Sequence, residues 1–80
     1  MNAAVETILC TVRRRRVECE HRDTLAGWLA YLSFLRAVGA DAENAPLEIK
    51  RELLESVQRA DDCIGWNDRM MQIEQDGVAA

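Results

Sequence analysis

The chain has 80 residues, 49% of them hydrophobic, with a formal charge of −4 and a pI near 4.9. That is enough for one small domain, and the acidic balance argues against a nucleic-acid-coating role. A single core of this size supplies only about 3–5 kcal/mol, so doubling by homodimerisation is expected.

One proline, four glycines and the absence of repeats exclude low-complexity, collagen-like and solenoid classes and point to an ordered, mostly helical chain. The uncharged run Thr24 to Leu35 is shorter than the about 20 apolar residues of a membrane span. Four arginines follow the first apolar run instead of preceding it, unlike a signal peptide. The expected location is therefore cytoplasmic, with no membrane partner. The three cysteines, Cys10, Cys19 and Cys63, then read as reduced, buried small hydrophobes. Charge is unevenly spread. Residues 1–40 hold six arginines against four acidic residues, a net of +2, and residues 41–80 hold four basic against ten acidic residues, a net of −6. The two halves should attract each other, within one chain or between two.

Asn2 can cap a first helix, over about residues 3–21, whose Val5, Ile8, Leu9, Val12 and Cys19 share a face. Its β-branched residues and the alternation from Val17 to His21 would also suit a β-hairpin, but no turn-forming residue lies near Arg13 to Arg16, so the helix is preferred. A second helix, about 24–38, is the most apolar stretch. Leu25, Trp28, Leu29, Leu32 and Leu35 form its main core or dimer face, with Tyr31, Phe34 and Val38 opposite. The apolar faces of these two segments would point about 180° apart on one straight helix, so a break is expected at Asp23-Thr24, either residue acting as a cap.

Gly39 should end the second helix in a left-handed conformation. Asn44 or Ala45 should then cap a third that opens with Pro46 in its first turn and Glu48 near its positive end. A short connection predicts that the second and third helices pack as an antiparallel hairpin. From Pro46, the residues Ile49, Leu53, Val57, Ala60, Ile64 and Met71 make one apolar face. The opposite side starts acidic with Glu48, Glu52, Glu55 and Asp62, then turns apolar with Cys63, Trp66, Met70 and Ile73. Two explanations stand. Gly65 ends the helix near residue 64 and Asn67 or Asp68 caps a short last helix folding back on the core, or one helix continues to about residue 75 and exposes a second apolar seam. Residues 76–80 read as a frayed tail.

Catalytic and metal chemistry find little support. Cys10, Cys19, His21 and Cys63 lack the close pairing of zinc ligands, no phosphate-binding glycine loop exists, and neither Ser33 nor Ser56 has a base at helical reach. No cofactor, metal or enzymatic activity is expected. Arg13, Arg14, Arg15 and Arg16 spread around a helix without interleaved aromatics, which favours pairing with the acidic half or with a protein over binding nucleic acid. The acidic row reads as a solvated face, or more sharply as a phosphate mimic for a basic groove. Trp66, Met70 and Ile73 with Cys63 form the candidate recognition cluster, because Trp and Met concentrate at interface cores.

The sequence thus predicts one all-α domain over residues 1–80: an N-terminal helix and an antiparallel helical hairpin, doubled into a bundle as a homodimer. The expected function is that of a small non-catalytic inhibitor or adaptor that binds a larger protein. By analogy it resembles phage or mobile-element proteins directed at a host protein or defence system. A purely structural self-assembling bundle and a nucleic-acid-associated regulator are the alternatives.

Overall fold

The computed structural model describes residues 3–41 and 44–79. The chain is all-helical over these residues, with α1 at Ala3–Arg22, α2 at Leu25–Ala40 and α3 at Leu47–Ala79. Asn2, expected as the first cap, and Ala42, Glu43 and Ala80 lie outside the described residues.

In α1 the β-branched residues do not prevent helix formation. The Thr7 hydroxyl donates to the Ala3 carbonyl at 2.9 Å and the Thr11 hydroxyl to the Thr7 carbonyl at 2.8 Å, so both are satisfied inside the helix. Val5, Leu9 and Val12 are buried, whereas Ile8 is borderline exposed. Cys19 is half-buried against the core, but Cys10 is exposed, contrary to its expected burial.

The break falls at Asp23 and Thr24, and the two residues divide the work. Asp23 takes φ 46°, the left-handed conformation, and donates its N–H to the Cys19 carbonyl at 2.7 Å. An Asp tolerates this region better than most residues do. Thr24 is extended and caps α2 by accepting from the Gly27 N–H at 3.1 Å. The reversal brings the two apolar faces, mismatched on a straight helix, into one core.

Within α2 the core face is rotated from the expected one. Trp28, Leu32 and Leu35 are buried and Leu25 half-buried, but Leu29 is 48% exposed and Tyr31 is fully buried. Tyr31 and Phe34 turn toward α1, so α2 has neighbours on two sides. Gly39 is not left-handed. The helix runs on to Ala40, and Asp41, in a right-handed conformation, donates its N–H to the Val38 carbonyl at 3.2 Å.

Pro46 precedes α3 instead of forming its first turn. Its carbonyl accepts from Ile49 and Lys50, which makes Pro46 the cap, in place of Asn44 or Ala45. From there α3 is continuous for 33 residues. Gly65 does not end it, neither Asn67 nor Asp68 starts a new helix, and Asp76 and Gly77 are helical, not a frayed tail. Ile49, Leu53 and Ala60 are buried and Val57 and Ile64 half-buried, but Met71 is exposed.

Cross-helix contacts fix the directions. Along α3, Glu52 meets Arg13 and Arg16, Arg59 meets Glu20, and Asn67 meets Asp23. α1 and α3 therefore run the same way, and α2 returns between them. At about 1.5 Å per residue α3 is roughly 50 Å long and α1 about 30 Å, so α3 outruns the bundle past Asn67. The molecule accordingly measures 56 × 21 × 15 Å.

A Cβ on Gly65 would meet nothing within 4 Å, so only the backbone cost of glycine remains there. Gly65→Ala should raise the unfolding free energy by about 0.5–1 kcal/mol in urea titration. Thr24→Ala should lower it by about 1 kcal/mol through loss of the cap.

Candidate interaction surface

Successive residues on a helix point about 100° apart, so four adjacent arginines on α1 cannot share a direction. Arg13 and Arg16 reach α3, Arg15 stacks over the Phe34 ring of α2 at 4.0 Å, and Arg14 is exposed. Three of the four are thus engaged by neighbouring helices. The run's expected attraction to the acidic half is realised at Glu52.

Glu52 was expected on a solvated acidic face, but it is only 7% exposed. Its Oε1 lies 3.3 Å from Arg13 Nε and 3.4 Å from Arg16 Nη1, close enough for charge pairing but outside hydrogen-bond geometry. Arg16 also donates to the Ser56 hydroxyl at 3.1 Å. Ser56, fully buried, neighbours Tyr31, whose phenol donates to the Val12 carbonyl at 2.7 Å. Burial pushes the Tyr31 phenol up, with the Ser56 hydrogen bond and the Arg16 charge opposing. A layer of polar groups thus joins all three helices. Glu48, Glu55 and Asp62 remain exposed without Glu52, so the continuous acidic row does not exist.

At the far end of the bundle, the Asp23 carboxylate accepts from Trp28 Nε1 and from Asn67 Nδ2, both at 3.0 Å. Asn67 also donates to the Cys63 carbonyl at 2.8 Å. These hydrogen bonds, Asn67 first and Trp28 second, hold the Asp23 carboxyl below the usual range. Periodicity could not have revealed this tie, since it joins residues far apart in sequence.

Of the candidate recognition cluster, Cys63 packs partly against the core, while Trp66, Met70 and Ile73 are 54%, 38% and 61% exposed. Met71, expected in the core row, is exposed beside them. The four large residues occupy α3 from Trp66 onward, level with and beyond the α1–α2 turn. Leu25, Trp28, Leu32 and Leu35 do not join this surface, and exposed Leu29 lies on α2.

Burial pushes the Cys19 and Cys63 thiols up, which lowers their thiolate fraction and reactivity. The Cys19 thiol donates to the Gly27 carbonyl at 3.6 Å. Among the described residues, no group of three or more His, Cys, Asp or Glu is placed to hold a metal, and no helix is long and apolar enough to cross a membrane.

Glu52→Ala should cost about 1–3 kcal/mol in chemical denaturation. This is less than a fully buried pair would lose, because Arg13 is itself more than half exposed. A lowered Asp23 pKa means stabilisation that is complete above the ordinary carboxylate value and lost as pH falls through the folded value. Melting temperatures should accordingly drop in that acidic window, and Asp23→Asn, which keeps an acceptor but no charge, should flatten this part of the profile. Comparison with protein-family models, curated proteins and solved structures finds no match for the chain.

Proposed function

We propose that this chain is a small non-catalytic protein-binding module, an adaptor or inhibitor that engages a larger protein through the exposed apolar end of α3. The observation carrying this reading is the placement of Trp66, Met70, Met71 and Ile73 on a helical segment that has outrun its intramolecular neighbours. A tryptophan left 54% exposed next to exposed methionines and an isoleucine has the composition of an interface centre. The three-helix bundle then serves as a rigid base for that end.

A nucleic-acid role has less support, because Arg13, Arg15 and Arg16 are engaged by Glu52, Ser56 and Phe34. The raised thiol pKa values likewise favour a non-catalytic reading over cysteine chemistry.

Affinity capture from the source cells followed by mass spectrometry tests the proposal. The wild-type chain should retain one larger protein that Trp66→Ala and Met70→Glu lose by at least tenfold, with helical circular dichroism unchanged. Equal recovery of the same proteins by all three chains would reject the α3 end as the recognition surface.

A further inference from the structure

The bundle-facing side of α3 does not stop where its neighbours do. At about 100° per residue, Trp66, Met70 and Ile73 fall in line with Glu52, Arg59 and Cys63. Glu52 and Arg59 lie against α1, through Arg13, Arg16 and Glu20. Met71 similarly falls in line with Leu53, Ala60 and Ile64. The groove that α1 fills therefore continues past the end of α1 as an apolar strip from Trp66 to Ile73, roughly 12 Å long. Another helix, apolar on one side and of similar length, would continue the packing that α1 begins.

The end of α3 is itself such a helix, and its charges select the direction in which a copy would lie. Its tip carries Glu74 and Asp76. At the mouth of the strip stand His21 and Arg22, the last turn of α1, both exposed, and Arg22 makes no ion pair among the described residues. An antiparallel copy brings its Glu74 and Asp76 toward His21 and Arg22, and two-fold symmetry repeats the match. A parallel copy sets the acidic tips side by side and leaves both basic turns unmatched.

We infer that a second copy of this chain docks antiparallel on the exposed end of α3, Met70 near the two-fold axis, and covers the face proposed above for recognition. The inference rests on that reading and adds its regulation: self-pairing and capture of the larger protein compete for one surface. Two single-helix segments bury less than a standard interface, so the dimer dissociates on the order of micromolar and yields to a tighter partner.

Sedimentation velocity over a micromolar to millimolar series tests the self-pairing on the full chain. The wild type should pass from monomer to dimer, Ile73→Glu should stay monomeric, and Arg22→Glu should weaken the dimer at least tenfold. Combining Arg22→Glu with Glu74→Arg and Asp76→Arg should restore it, which neither a parallel dimer nor a dimer through another face would do. Circular dichroism of each variant separates lost pairing from lost helix. A wild-type monomer throughout the series, or a dimer indifferent to Ile73→Glu and to the charge exchange, overturns the inference. If capture of a larger protein still depends on Trp66 in such a monomer, the recognition reading survives alone. If the dimer forms as described while capture ignores Trp66, recognition fails and self-pairing stands.

Discussion

The arrangement of the three helices depends on one carboxylate. Glu52 projects from α3 into the seam with α1, nearly hidden from water, and among the described residues the guanidinium groups of Arg13 and Arg16 offset its desolvation. The arginines lie on the same side of α1, three residues apart, so sliding α1 by one turn along α3 would take one of the two away from Glu52. Ser56, one turn further along α3, accepts from Arg16 and lies against Tyr31 of α2. Apolar contacts among Val12, Leu35 and Leu53 supply attraction but tolerate small shifts. The polar layer does not, and it sets the register of α1, α2 and α3 at once.

A second tie at the far end acts in the same way on the turn. Asp23 is held in a left-handed conformation, and its carboxylate reaches both α2, through Trp28, and α3, through Asn67. Trp28 has no exposed surface, and its indole N–H would be an unsatisfied buried donor without Asp23. Thr24 can then serve α2 alone as its cap. The junction marks the last level at which α3 has neighbours. It therefore defines where the bundle closes and where the exposed end of α3 starts.

These details separate what the sequence carries from what it does not. Helix content and the break at residues 23–24 follow from local spacing and capping, which one chain segment displays by itself, whereas spacing leaves the exposure of Trp66, Met70 and Ile73 open until α3 is seen to run through Gly65. The face of α2 does not follow, because Leu29 is more apolar than Tyr31 and fits the spacing, while their burial depends on two neighbouring helices. Tyr31 is inside because the Val12 carbonyl accepts its phenol proton and Ser56 lies against its oxygen, a fact about packing and not about periodicity. Glu52 reads as solvated for the same reason: a lone carboxylate belongs in water, and only the approach of Arg13 and Arg16 reverses that. Gly65 and Gly77 look like helix ends, yet propensity is a weak preference of about 1 kcal/mol that a long helix absorbs.

The continuity of α3 through Gly65 has a physical consequence. Had the chain broken there, Met70, Met71 and Ile73 could have folded back over Cys63 and Ile64 and enlarged a small core. The straight helix instead carries them beyond α1 and α2, giving up that burial in the isolated chain. A domain of 80 residues has little stability to forgo, so leaving a tryptophan, two methionines and an isoleucine in water is costly unless another surface covers them. For the proposed recognition role the same continuity would help, since a backbone already helical and tied through Asn67 to Asp23 has less entropy to lose on docking. Stability withheld from folding is thereby available for association.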